Sequence, residues 1–342
     1  MFQLHEPTEV AGSPLKAVFF VHLSTTTGLM IREWLKGGNH IAAVIIYRQK
    51  LPGPMTEPGR WLVLQWSVLQ LLHRHSIPII QPSAPVDWSK LRAMLADKSP
   101  DVAITYGFMR LVPKSVREIF PKGALNFHPA LLPHYRGPQP FHWLAIHGAW
   151  QKSGGVTLHE MTDGFDEGAI VAQAVMTDAP SAAEERNHFV VDALATMTGQ
   201  VIPRYCAGEI RAWPQPAGDY FYARRDYPEQ IVRPEWTRDY LRDLCEIIRK
   251  RPGVVIHVSG KPIRLQNEAR VVGPPDGRPA IVKWRVVEFD LADCRVQYFR
   301  RTPVNRLIKH VKVLPARFRR SFRTLPVRLG PFESEPGGTA QG

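Results

Sequence analysis

An asparagine and a histidine two residues apart, Asn126 and His128, are the pair in this chain whose types and spacing best suit a reaction. Residues two apart on a strand share a face, so a carboxamide donor stands beside an imidazole. When an amine attacks a carbonyl carbon, the oxygen gains negative charge and the nitrogen must shed a proton. An amide N–H stabilises the first change, and an imidazole assists with either. A carboxylate that orients or charges the histidine would complete the set. Downstream, residues 154–161 read as another strand and run into Thr162-Asp163-Gly164-Phe165-Asp166-Glu167-Gly168, which offers both Asp163 and Asp166. A carboxylate beside His128 would raise its pKa and hold a proton-relaying water. Set against this, an Asn-x-His at a strand end is more often a hydrogen-bonded structural pair, and acidic residues beside glycines are common turn formers. The residue types alone leave acyl chemistry open, and no more.

The elements that must position these groups follow from the apolar pattern. Lys16 to His22 is a short apolar run rich in β-formers, followed by the turn-prone Ser24 to Gly28. Leu29 to Lys36 has helical spacing, Gly37-Gly38-Asn39 stops it, and Ile41 to Tyr47 is a second strand-like run. The alternation continues with a helix over about Leu62 to His75, a strand near Ile77 to Ile80, a helix over Trp88 to Asp97 and a strand from Asp101 to Thr105. This predicts an α/β fold, a doubly wound and mostly parallel sheet. Ala124 to Phe127 carries Asn126 and His128 to the carboxyl end of its strand, where ligands bind in open α/β sheets. After Gln173 the pattern becomes helical from about Ala182 to Gln200. Pro203, Trp213-Pro214 and Pro216 mark a linker, and beyond a helix at about Thr237 to Lys250 short alternating segments predict a smaller β-barrel domain. The expected divisions are an arm at 1–14, a catalytic domain at 15–204, a linker at 205–217, a basic barrel domain at 218–329 and a disordered tail at 330–342.

The 342 residues, 44% of them hydrophobic, suffice for two domains with their own cores. No apolar run approaches the roughly 20 residues that span a bilayer, and the first 14 residues lack the features of a secretory signal, so the expected compartment is the cytoplasm. Cys206, Cys245 and Cys294 are too far apart for a zinc site and read as core thiols. Of the formal charge of +13, ten Lys or Arg lie between Tyr298 and Arg328 with no Asp or Glu among them, leaving +3 for the rest. Such a block either tracks a phosphate backbone or is a solvated tail.

Asn126-x-His128, Leu131-Leu132-Pro133, Tyr135-Arg136-Gly137, Gly155-Val156-Thr157 and Asp166-Glu167-Gly168 together resemble the signature of the 10-formyltetrahydrofolate-dependent formyltransferases. A weaker similarity runs from Tyr222-Ala223-Arg224-Arg225 through Trp236, Arg251-Pro252-Gly253 and Gly260-Lys261, as in the methionyl-tRNA and amino-sugar members. The resemblance implies 10-formyltetrahydrofolate as donor and no metal. It makes Asn126 the group that polarises the formyl carbonyl, His128 the group that stabilises the oxyanion or exchanges protons, and Asp166 its partner. It also implies a folate pocket built from Met109, Arg110, Leu111 and Val112, with Leu131 and Leu132 shaping the loop and Thr162, Asp163, Gly164 and Phe165 as the facing wall. Arg136, Arg300, Arg301 and Lys309 are the expected acceptor contacts.

The acceptor is divided between two amines. Methionyl-tRNA suits the basic block, whereas Tyr47 to Arg60 lacks the basic, Gly-containing insertion of the tRNA enzymes. An amino-sugar nucleotide would need only a few cationic or aromatic contacts. Phosphoribosylglycinamide is disfavoured, because Leu23-Ser24-Thr25-Thr26-Thr27 replaces the Gly-rich phosphate loop. The rivals of other classes are a nicotinamide oxidoreductase, which lacks its G-x-G-x-x-G, and a non-catalytic RNA-binding protein.

Overall fold

The computed structural model describes residues 2–3, 13–49, 51, 58–178, 180, 183–248, 253–300 and 326–330. After β1 (Phe2–Gln3) the chain alternates as expected: β2 (Lys16–Val21), α1 (Thr25–Lys36), β3 (His40–Ile45), α2 (Pro58–Leu64), a π-helical stretch at Gln65–Leu69, α3 (Gln70–Arg74), β4 (Ile79–Ile80), α4 (Trp88–Ala96), β5 (Val102–Tyr106), α5 (Lys114–Arg117) and β6 (Ala124–His128). Helix α1 begins earlier than its apolar spacing suggests. Ser24 and Thr27 form a reciprocal cap, with the Ser24 hydroxyl accepting from the Thr27 N–H and the Thr27 hydroxyl accepting from the Ser24 N–H at 2.9 Å.

β2 pairs in parallel with β3 and β5, β3 with β4, and β5 with β6. Successive β2 residues serve opposite layers. Phe19 and Val21 pack with Met30, Ile31 and Trp34 of α1, while Val18 and Phe20 pack with Leu91 and Leu95 of α4. Burial on both faces is why β2 reads as a continuous apolar run.

At β6 the sheet changes sense. After α6 (Pro140–Ile146) and α7 (Trp150–Ser153), β7 (Gly155–Glu160) lies antiparallel to β6, and β8 (Ile170–Val175) antiparallel to β7. The helix predicted over 182–200 is α8 (Ala183–Thr196), continued by a π-helical stretch at Met197–Val201 and α9 (Ile202–Cys206).

The C-terminal half contributes β9 (Gln230–Ile231), α10 (Arg238–Ile247), β10 (Val254–Val258), β11 (Lys261–Gly273), β12 (Ile281–Val282), β13 (Val286–Asp290) and β14 (Arg295–Arg300). Among the described residues these strands form a second sheet of six, ordered β12-β13-β14-β11-β10-β9, and its two ends are not paired with each other. The long β11 pairs with β10 through its first residues and with β14 from Leu265 to Gly273, so this stretch is one long strand and not a run of short ones. Arg295, almost wholly buried, ties this sheet together through Glu288 at 2.9 Å, Asp290 at 2.8 Å and Asp276 at 2.9 Å.

Two features depart from the expected divisions. Residues 326–328, assigned to the second domain by sequence, form β15 (Pro326–Arg328), which pairs with β8 and β1 at the edge of the first sheet. The second core is also shared: Ala130, Tyr135, Leu144, Ala145 and Trp150 from the 130–150 region pack with Leu241, Leu244, Val287 and Tyr298. Position along the chain does not reveal that α6 and α7 turn their apolar faces toward the later domain. The predicted arm and tail, apart from residues 2–3, 13–14 and 330, lie outside the described residues. Among the described residues no helix is long and apolar enough to cross a membrane.

Candidate active site

Asn126 and His128 end β6, where the parallel and antiparallel halves of the sheet meet. Asn126 stands directly across from His159 in β7, and direct partners in an antiparallel pair present their side chains on one face. The Asn126 Nδ2 is 3.0 Å from His159 Nε2 and 3.3 Å from Asp166 Oδ1. His128 Nδ1 lies 3.4 Å from the other oxygen of Asp166, and His159 Nε2 lies 3.5 Å from Oδ1. Four polar side chains from two strands and one loop therefore converge within hydrogen-bonding or ion-pairing reach. Of the two carboxylates left open by sequence, Asp166 occupies this position. Asp163 points outward to Arg117 and is 79% exposed.

His159 was read only as part of a strand. Its place in the site depends on the β6–β7 register, which no local pattern encodes. The ring partners fix the tautomers. The Nδ1 of His159 faces the Glu160 carbonyl at 2.8 Å and must carry hydrogen, leaving Nε2 to accept from Asn126. The Nε2 of His128 donates to the Tyr135 carbonyl at 2.8 Å.

The signature motifs hold this cluster in place. Thr157 donates its hydroxyl to the Ala130 carbonyl at 2.7 Å and accepts from the Leu132 N–H at 3.0 Å, and Gln173 Nε2 donates to the Leu132 carbonyl at 2.8 Å. These bonds pin the turn that follows His128. Gly137, at φ +107°, donates its N–H to Asp166 Oδ2 at 2.8 Å, and a side chain there would collide with the Tyr222 ring.

Burial is the largest influence on His128 and lowers its pKa below the ordinary value, more than the Asp166 carboxylate raises it. This reverses the expectation of a protonated imidazole: the ring is too well shielded from water for one nearby carboxylate to keep it charged. Burial alone would push Asp166 upward, but His128, His159 and the Gly137 N–H together hold it well below the usual carboxylate range. Both folded-state values lie below those of an unfolded chain, so both groups favour folding at higher pH. Their contribution is complete above about pH 6.5 and is lost on acidification, first through His128 and then through Asp166. The His128 imidazole is accordingly expected to titrate with a midpoint below about 6.5 by NMR, and a midpoint above 7 would overturn the assignment of a neutral ring.

Asn126, His128, His159 and Asp166 open onto a cavity of about 570 Å³. Its lining includes Met109, Arg110 and Leu111 after β5, and Met161, Thr162, Gly164 and Phe165 after β7. His22, Ser24 and Thr26 near the start of α1 line it too, as do Tyr222 and Arg225. Arg110 stacks on Tyr47 with its guanidinium carbon 5.3 Å from the ring centroid. Volume and a largely apolar lining suit a flat heteroaromatic group with an amine beside it.

Several expected site residues lie elsewhere. Val112 is fully buried in the sheet core, and Leu131 and Leu132 are buried away from the cavity, Leu132 against Ile170 and Trp213. Apolar residues flanking a site are as readily its foundation as its lining, and their type does not distinguish the two. Arg136 is engaged by Gln215 outside the cavity lining. Arg300 lies on the second sheet, bonded to the Lys283 carbonyl at 3.1 Å. Arg301, Lys309 and most of the basic segment fall outside the described residues.

Residues 67–204 match the family described as Formyl transferase. Among curated proteins, the chain is 37% identical over 145 residues to the methionyl-tRNA formyltransferase of Chloroflexus aggregans, covering 41% of this chain and 45% of that one. It is 30% identical over 254 residues to that of Aromatoleum aromaticum, covering 71% and 77%. The chain spans 45% to 65% of the length of the first curated relatives it matches. Among solved structures, the fold resembles an N-formyltransferase from Helicobacter canadensis in complex with folinic acid and dTDP-3-aminofucose, with a TM-score of 0.55 and 15% identity over 84% of this chain and 99% of that one.

Proposed function

Since the chain belongs to the formyltransferase family, we propose that it transfers a formyl group from 10-formyltetrahydrofolate to a primary amine in the cytoplasm, with the amino group of methionyl-tRNA as the preferred acceptor. The observation that carries the reading is the convergence of Asn126, His128, His159 and Asp166 at the base of a cavity of about 570 Å³.

When bound, the reduced folate supplies the formyl carbon on its N10. The carbon–nitrogen bond to the acceptor forms as the bond to N10 breaks; the acceptor nitrogen loses a proton, N10 gains one, and none is consumed. Asn126 directs its carboxamide N–H groups toward the place where carbonyl oxygen charge develops, exchanging a bond to His159 or Asp166 for one to the substrate. His128, neutral at pH 7 with its unprotonated Nδ1 turned toward Asp166, takes the proton from the amine, the ionised carboxylate stabilising the imidazolium that forms, and returns it. The apolar faces of Met109, Leu111 and Phe165 would hold the ring system of the donor.

Methionyl-tRNA is supported by the relatives named for it and by the concentration of ten cations between residues 298 and 328. A second reading, an amino-sugar nucleotide, is favoured by the stretch from Tyr47 to Arg60, which lacks a basic insertion. Salt separates them. Affinity for methionyl-tRNA should fall steeply with salt, by roughly 0.9 log unit per log unit of salt for each phosphate engaged on a duplex. A flat response, together with turnover of an amino-sugar nucleotide in a folate-release screen, would move the assignment to the second acceptor.

A further inference from the structure

The catalytic carboxylate hangs from the loop between β7 and β8, and Asp166 itself sits at φ +58°, a left-handed conformation that a residue with a side chain adopts only when its surroundings impose it. The Gly137 N–H holds the Asp166 carboxylate, and the backbone of the loop is held from the segment that joins the two domains. Trp213 bridges to Ile170 through paired backbone bonds of 2.7 and 2.8 Å and packs on Ile170 and Leu132. Two residues on, Gln215 sends Nε2 to the carbonyls of both Asp166 and Gly168, each at 2.8 Å. Its Oε1 accepts two bonds from Arg136, from Nε at 3.0 Å and from Nη2 at 2.6 Å. Both N–H groups and the oxygen of the carboxamide are thereby used, and the planar guanidinium fork fixes which end faces the loop.

We infer that Gln215, braced by Arg136, is a positioning residue for formyl transfer: it clamps the two carbonyls that define the Asp166 turn and so sets the carboxylate against His128 and Asn126. The inference rests on the proposed reaction. It gives the stretch read from sequence as a linker a part in the chemistry, and it gives Arg136, expected to touch the acceptor, the part of a brace. Reach and polarity make the clamp specific. Alanine removes it, and glutamate, although equal in size and better matched in charge to Arg136, turns an oxygen toward two carbonyl oxygens and breaks the hold.

The test uses the full chain in steady-state formyl transfer, with 5-formyltetrahydrofolate binding followed separately by fluorescence quenching. Both Gln215→Ala and Gln215→Glu should lower kcat roughly 10- to 100-fold, the cost expected of a displacement of about 1 Å at a reacting centre, while 5-formyltetrahydrofolate affinity stays within about threefold because the clamp lies outside the cavity lining. In an Asp166→Asn background Gln215→Ala should add less than about twofold, since groups that act through one another are not additive. Turnover of Gln215→Ala within twofold of wild type, or losses that multiply fully with Asp166→Asn, overturns the inference. The His128 ring nitrogen signals in the unliganded protein supply a reading independent of turnover. They should move in Gln215→Ala in the same direction as in Asp166→Asn, and unmoved signals overturn the inference even if wild type transfers no formyl group. Wild type inactive with every amine tried would by itself remove only the proposed reaction.

Discussion

Replacing Asn126 with alanine is expected to lower kcat by roughly two orders of magnitude or more, and replacing His128 with alanine to do the same, with the fold retained in both. The expectation comes from how few groups at the cavity base can answer a growing negative charge. The Asn126 carboxamide lies within 3.3 Å of both His159 and Asp166, so its loss removes the donor and also leaves the His159 nitrogen facing a carboxylate oxygen with nothing between them. Among the described residues, His128 is the imidazole that reaches both Asp166 and the turn after β6, through the Tyr135 carbonyl. Purified variants should keep the wild-type circular dichroism spectrum and lose most of their folate release. If both keep near-normal turnover, the chemistry assigned to this cluster is wrong and the cavity serves binding alone.

Replacing Asp243 with alanine is expected to destabilise the protein by about 3–5 kcal/mol, the usual consequence of stranding a buried charge. Arg186 of α8 and Asp243 of α10 form an ion pair in which both side chains are more than nine-tenths buried. Asp243 also accepts from Trp150 Nε1 at 2.9 Å, and the Arg186 guanidinium lies 4.7 Å from the centre of the Trp150 ring. Burial lowers the Arg186 pKa to about 10, and a guanidinium keeps its proton inside proteins even when unpaired, so removing Asp243 strands a charge. The contact joins the catalytic half to the later domain through α7, so its loss also loosens the core that Trp150 shares with Leu241 and Leu244. Urea denaturation should show a markedly lower midpoint for Asp243→Ala. Replacing Arg186 and Asp243 together by methionine and leucine should restore most of the loss, because no unpaired charge then remains. A single variant within 1 kcal/mol of wild type would show that the pair is not the bolt between the halves.

Strand and helix order up to β6 could be read from the sequence because each element there is defined locally. β2, β3 and β5 are buried on both faces and are therefore continuously apolar, and the helices between them show their own periodicity. Asn126 and His128 were legible for the same reason, since two residues on one strand share a face whatever lies beside them. Residue types alone narrowed the carboxylate only to Asp163 or Asp166, and the family resemblance singled out Asp166; Asp163 turns away to Arg117. β8 was missed because its buried run abuts residues with helical spacing, and β15 because its pairing to β8 closes a loop of more than 150 residues.

The chain by itself determined which chemical groups are available and which strand end carries them, because residue type and period-two geometry are properties of neighbours in sequence. Only the tertiary structure decided which histidine joins them, whether His128 is charged and what holds Asp166 in place. His159 enters through the register of an antiparallel pair, the neutral state of His128 through the burial of its ring among packed segments, and the Asp166 turn through Gln215, 49 residues away. Each of these depends on distances between segments whose separation along the chain says nothing of their separation in space. Burial and hydrogen-bond partners, which set both pKa and geometry, exist only once those segments have met.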